Sequence, residues 1–195
     1  MKIATALLGH NLRISFTSAI VNEPGNARGG WHADWPFNQN NAGHVPAPYP
    51  DAVFHLTTLW MISPFSPENG GTLVIPGSHR RLSNPTDALD QQDPDQAALS
   101  EVNVAGPAGS VLLFDSRLWH ATSPNHTDKR RVALAVRYAP WWLNLEVLRP
   151  DSEERAWLCE QTGLSDNAVP SIERDVFEQL PADIQRLYRH WVRNG

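Results

Sequence analysis

The chain has 195 residues, a formal net charge of −5 and 41% hydrophobic residues. That length suits one domain with a sizeable core, and a mild acidity without a basic stripe argues against nucleic acid as the main partner. The single cysteine, Cys159, excludes an internal disulfide and fits a reducing, cytoplasmic setting.

The first nine residues are too short and too weakly charged for a signal peptide, and no apolar run reaches membrane-spanning length. Leu12 to Val21 alternates: Leu12, Ile14, Phe16 and Ile20 share one face, and Arg13, Ser15, Thr17 and Ala19 the other. That pattern predicts a half-buried strand. A Gly-rich turn over Glu23 to Gly30 delivers the chain to His32. Pro36 to Pro50, rich in Asn, Pro and Gly, predicts a long loop of the kind that forms lids.

Ala52 to Ile62 reads as a long apolar strand and Gly71 to Ile75 as a short one, followed by a turn at Pro76-Gly77-Ser78-His79. Residues 83–98 are polar and broken by Pro, hence a loop. Ser100 to Val104, Ser110 to Phe114 and Leu118 to Ala121 predict three short strands, and Arg131 to Ala139 the last strong one. Many short strands joined by Gly/Pro turns give a mainly β sandwich or jelly roll. After Trp142 the pattern turns helical: 152–161, with Asp151 as N-cap and Gly163 as stop, then 171–180 and 182–192. Ile184, Leu187, Tyr188 and Trp191 form an apolar stripe on the last helix. Of the 8 tryptophans, most are expected in the core and some along a pocket.

The chemistry centres on Trp31-His32-Ala33-Asp34. Residues two apart on an extended segment share a face, so the His32 imidazole and the Asp34 carboxylate can aim at one point. A distant His120 completes two His and one carboxylate, the facial set of non-haem Fe(II) oxygenases, which leaves other coordination positions open. Alone, a His or Asp beside a Pro-rich loop is more often a turn or surface residue; the ordered set carries the weight. Arg131 follows on an apolar strand, where its planar fork suits an organic carboxylate. By parity it shares a face with Ala133, Ala135 and Arg137, small neighbours that leave room for a ligand. Arg137 is the rival at the far end of that face, and Thr122 can offer a hydroxyl to the same ligand or serve simply as a strand residue. His44 and His55 flank the long loop, where each could touch a substrate or fill an ordinary polar role. Arg80-Arg81 and Lys129-Arg130 suit phosphates or plain solvation.

These motifs resemble the phytanoyl-CoA dioxygenase family of Fe(II)- and 2-oxoglutarate-dependent oxygenases. The resemblance rests on Trp31-His32-Ala33-Asp34, on the run from Glu68 through Gly70-Gly71-Thr72-Leu73 to Pro76-Gly77-Ser78-His79, on Gly109 to Asp115 leading into His120, and on Arg131. It covers roughly residues 12–140. It implies one oxygenase domain over 1–195, with a double-stranded β-helix (jelly-roll, cupin-like) core over 12–140 and a helical extension over 151–195. It further implies that His32, Asp34 and His120 bind Fe(II), and that Arg131 with Thr122 holds the distal carboxylate of 2-oxoglutarate. With O2, such a site hydroxylates an unactivated C–H of a small-molecule or acyl substrate and releases succinate and CO2. Trp31, Trp35 and His55 are the expected substrate-side residues. Halogenating relatives replace the carboxylate by a small residue, so Asp34 favours hydroxylation. Family members carry an N-terminal helical region, whereas about eleven residues precede the first strand here. That region is therefore expected to be missing, leaving Leu12, Ile14 and Phe16 short of cover. The alternatives are a non-oxidative metal-dependent cupin-like enzyme, which needs neither Arg131 nor 2-oxoglutarate, and an inactive truncated relative.

Overall fold

The computed structural model describes residues 1–35, 50–81, 85, 100–163 and 168–193. The loops expected at 36–50 and 83–98, including His44, lie outside these residues apart from Pro50 and Pro85. In chain order the strands are β1 (Arg13–Asn22), β2 (Leu56–Met61), β3 (Thr72–Val74), β4 (Val102–Val104), β5 (Val111–Asp115), β6 (His120–Thr122) and β7 (Arg131–Ala139). They form two antiparallel sheets, ordered β1-β7-β2-β5 and β4-β3-β6. The strand expected over 52–62 is shorter than its apolar run, because regular pairing begins only at Leu56.

β7 is central in the larger sheet, and its alternation is used on both faces. Ala133 packs with Met61 and Phe65, and Ala135 with Leu59 and Phe114. These small side chains leave space between the sheets. On the opposite face Val136 and Tyr138 join Leu56 in a cluster with Ala4 and Leu8 of α1 (Lys2–Leu8). Further along the chain come α2 (Glu153–Thr162), α3 (Arg174–Glu178) and α4 (Ala182–Tyr188), the last contributing Leu187 to the same cluster. Leu187 and Trp191 of the expected apolar stripe are both 1% exposed, and Ile184 and Tyr188 pack beside them.

β1 departs from its expected single face. Arg13 and Ile14 pair with Ala139 and Tyr138, but the next pair is Phe16 with Arg137, so Ser15 is an extra residue. A bulge of this kind shifts all later side chains by one step relative to the partner strand. Leu12 and Ile14 therefore join α1, whereas Phe16 and Ile20 join Leu59, Phe114 and Ala135 on the other side of the sheet. The carbonyl of Ile14 at the bulge accepts a hydrogen bond from Trp191 Nε1 at 2.7 Å.

The expected lack of cover at Leu12, Ile14 and Phe16 is not found: Phe16 is half-buried against Leu59, Phe114 and Ala135, and the other two are buried. Leu12 and Ile14 are 3% and 4% exposed, under α1 and α4. Burying an aliphatic side chain of this size contributes about 1.5–3 kcal/mol. The cap of α2 also differs by one residue: Ser152, not Asp151, accepts from the Arg155 amide, while Gly163 ends the helix at φ 69° as expected.

Candidate metal centre

The segment after Gly29 docks along β6. The Gly29 amide donates to the Thr122 carbonyl at 2.9 Å, and His32 and His120 exchange backbone hydrogen bonds of 3.0 and 2.9 Å. Asp34 is then held through its own amide, which donates to the Ser116 carbonyl at 2.8 Å. On the other side of β6, Ser78 anchors the approach to His120. Its buried hydroxyl accepts from the Trp119 amide at 2.8 Å. Gly77, at φ 85°, permits the turn that presents Ser78.

The two imidazoles and the carboxylate converge. Asp34 Oδ1 lies 4.0 Å from His32 Nε2 and 3.7 Å from His120 Nε2. Each ring's other nitrogen is engaged with backbone: His32 Nδ1 with the Gly30 carbonyl at 3.1 Å, His120 Nδ1 with that of Leu118 at 2.9 Å. A carbonyl cannot donate, so Nδ1–H does, and both Nε2 lone pairs face the convergence point. Burial pushes His120 down to about 4, which keeps it neutral. Burial of Asp34 favours its protonation, but Arg137, His120, His32 and the Thr57 hydroxyl outweigh that and hold it below the usual carboxylate range. Two imidazole Nε2 atoms beside an ionised carboxylate fit a divalent metal such as Fe(II).

Arg131 opens into the same cavity between the sheets, with Thr72 and Thr122 on the facing wall. It is 2% exposed, donates through Nε to the Gly70 carbonyl at 2.8 Å, and lies 4.5 Å from the centre of the Phe65 ring. Among the described residues no carboxylate pairs with it. Burial lowers it to about 10, so it remains a cation at neutral pH. Its rival Arg137 lines the same cavity but is paired with Asp34, 2.5 Å from Oδ1, and lies 4.3 Å over the Phe16 ring.

His32, Asp34, His120, Arg131 and Thr122 thus share one cavity. The expected substrate-side residues do not join its described walls. Trp31 packs with Ala33, Ile75 and Trp119, under the guanidinium of Arg28. Trp35 contacts the rings of Phe54 and His55. His55 is 5% exposed, with Ser15 and Ser116 on its two ring nitrogens. Thr57 and Thr72, which stand outside the expected set, also line the cavity. The alternation of β2, which places Thr57 on the same face as Leu59, is the signal that locates Thr57. The basic pairs have local roles in part: Arg80 faces Asp51 at 3.5 Å and Arg130 binds Glu23 at 2.8 Å.

Comparison with known proteins agrees with this geometry. The chain is 30% identical over 138 residues to Dioxygenase af480 of Aspergillus fumigatus, covering 71% of this chain and 40% of that protein. It is 29% identical to a probable alpha-ketoglutarate-dependent hypophosphite dioxygenase of Stutzerimonas stutzeri, covering 68% and 46%. The structure of EctD from S. alaskensis with 2-oxoglutarate and 5-hydroxyectoine superposes with a TM-score of 0.56 at 25% identity, covering 71% of this chain and 48% of that one. The chain therefore spans about half or less of the length of these relatives. Residues 2–133 match the phytanoyl-CoA dioxygenase (PhyH) family, to which this chain belongs.

Proposed function

We propose that the protein is an Fe(II)- and 2-oxoglutarate-dependent dioxygenase that hydroxylates an unactivated C–H of a small-molecule or acyl substrate. The observation that carries this reading is the shared cavity: a two-His, one-Asp donor set and a buried arginine with no carboxylate partner among the described residues. In this reading His32 Nε2, Asp34 Oδ1 and His120 Nε2 hold the metal. Bound iron supplies the activation of O2, coupled to decarboxylation of the keto acid to succinate and CO2.

The remaining work falls to the chain's own side chains. Arg131 offers its free guanidinium edge to the distal carboxylate of 2-oxoglutarate, and Thr122 adds a hydroxyl. Gly70 holds Arg131 in place through its carbonyl. Apolar Leu59, Ile20 and Ala135 line the same cavity and limit water there. A non-oxidative metal enzyme has no need of Arg131, whose burial with no carboxylate partner among the described residues is costly unless an anion arrives.

The fold assignment that accompanies this reading is a double-stranded β-helix over 12–140, in one domain with the C-terminal helices. The two antiparallel sheets facing one cavity support it. No helix among the described residues is long and apolar enough to cross a membrane, and a cytoplasmic setting is part of the proposal. The test is succinate release from 2-oxoglutarate, with and without Fe(II) and O2, in the intact chain and in Asp34→Ala. Release that needs both and vanishes in the variant supports the reading. Turnover unchanged in Asp34→Ala overturns it.

A further inference from the structure

Asp34 has two oxygens in different environments. Oδ1 faces the two histidines and Arg137, whereas Oδ2 accepts from the Thr57 hydroxyl at 2.8 Å. Behind Thr57 lies a line of buried polar side chains from distant parts of the chain. Thr57 Oγ1 is 2.7 Å from Ser116 Oγ, which is 2.8 Å from His55 Nδ1; His55 Nε2 is 2.7 Å from Ser15 Oγ. All four residues are at most 5% exposed.

The direction of each hydrogen bond follows from the carboxylate. Ionised Asp34 can only accept, so Thr57 donates to it. The Thr57 oxygen must then accept from Ser116. Ser116, its proton used, accepts from His55 Nδ1–H; burial holds the ring neutral at neutral pH, so Nε2 accepts from Ser15. One polarity therefore runs from Ser15 to Asp34, and it assigns His55 as the neutral Nδ1–H tautomer. Ser116 also fixes the backbone: its carbonyl takes the amides of Asp34 and Trp35, and its own amide donates to the His55 carbonyl. Ser15 reaches His55 from the β-bulge, the one irregularity in the register of β1 and β7.

We propose that Thr57, Ser116 and His55 are positioning residues that occupy Asp34 Oδ2 and so commit the carboxylate to one-oxygen metal ligation through Oδ1. Thr57 lines the cavity beside Asp34, whereas Ser116, His55 and Ser15 lie behind it and off its described walls, so their effect reaches the metal through Thr57 and Asp34. A carboxylate freed from Thr57 can rotate or chelate with both oxygens, which changes both affinity and ligand number. This inference rests on the metal-site reading above.

The experiment uses the intact chain and Co(II), titrated calorimetrically without O2 or 2-oxoglutarate, together with the Co(II) visible spectrum. Thr57→Val, Thr57→Ser and Ser116→Ala are compared with the unaltered protein. Loss of an outer-shell partner typically weakens metal binding about 10–100-fold, which is the effect expected for Thr57→Val, with a changed spectrum. Thr57→Ser, which keeps the hydroxyl, is expected to restore both affinity and spectrum; a purely packing role for Thr57 does not give that rescue. Equal affinity and spectrum in Thr57→Val and the unaltered chain overturn the positioning role while leaving the metal site standing. No Co(II) binding by the unaltered chain overturns the metal site itself. If Thr57→Val does not fold, Ser116→Ala is judged by the same two readouts.

Discussion

His32 and His120 exchange both of their backbone hydrogen bonds, at 3.0 and 2.9 Å, although 88 positions separate them in the chain. A closely bonded antiparallel pair of this kind sets the two Cα atoms about 5.5 Å apart and sends both side chains to one face. The ring centroids are 4.2 Å apart. Two of the three candidate ligands are thus aligned by the backbone before any metal is considered, and Asp34 follows because it lies two residues beyond His32.

The cavity's other end depends on Arg131. Replacing it with Met keeps an apolar stem and removes the guanidinium. Loss of a buried charged partner costs about 2–5 kcal/mol, roughly a thirtyfold or greater rise in the 2-oxoglutarate dissociation constant. Metal affinity is expected to change little. Calorimetric titration of each ligand separates the two effects, and an unchanged keto-acid affinity removes Arg131 from this role.

Gly70 is a backbone determinant of the same end. It has φ 79°, and a Cβ there would sit 1.9 Å from Asn22 Nδ2 and 2.9 Å from the Ser123 carbonyl oxygen. Its carbonyl accepts from both Asn22 and Arg131. Gly70→Ala is expected to destabilise the fold by about 1–3 kcal/mol or more, from backbone strain and displaced neighbours, and to weaken 2-oxoglutarate binding as Arg131 shifts. Urea unfolding and keto-acid titration check both; a variant matching the parent in each contradicts the proposed support.

Arg137 compensates Asp34 in the metal-free protein. Removing one partner of a buried ion pair costs about 3–5 kcal/mol, because it strands the other charge. Arg137→Met is therefore expected to lower the thermal midpoint of metal-free protein, and added divalent metal to recover more stability in the variant than in the parent. Thermal scans with and without Mn(II) measure this. Equal metal-induced shifts contradict the counter-charge role.

How much of this was legible in sequence differs between residues. The convergence of His32, Asp34 and His120 is legible in their spacing, and strand parity puts Arg131 on the cavity face; parity puts Arg137 there too, and only the structure shows Arg137 paired with Asp34. The bulge at Ser15 does not, because one extra residue leaves the alternation Leu12, Ile14, Phe16 intact on paper while sending Ile14 and Phe16 to opposite faces. The line behind Asp34 is equally hidden. Ser15, His55, Thr57 and Ser116 are ordinary residue types brought together by pairings up to 61 positions apart. His55 lies beside the long loop in sequence, yet its hydrogen-bond partners come from β1 and from the turn after β5.

His55 also gives the metal-free fold a pH signature. Burial and Arg137 push it from 6.5 down to about 4, against smaller opposing effects of Asp34 and Asp115. Below pH 6.5 the unfolded chain takes up a proton that the folded chain refuses, so stability is present above that pH and is lost as pH falls towards 4. His190, also held at about 4 by burial, acts in the same direction. Between pH 7.5 and 5.5 ordinary carboxylates stay ionised, which isolates the histidine contribution. The urea midpoint of metal-free protein is expected to fall across this interval. A flat or rising midpoint contradicts the neutral, buried state of these rings.

The most direct measurement is a crystal structure of the intact chain grown without O2 in the presence of Fe(II) and 2-oxoglutarate, with anomalous data collected at the iron edge. The expected result is one anomalous peak bonded by His32 Nε2, Asp34 Oδ1 and His120 Nε2, with keto-acid density running from it to the guanidinium of Arg131. Iron bound elsewhere, or a keto acid whose distal carboxylate turns away from Arg131, contradicts the assignment of this cavity as the oxygenase site.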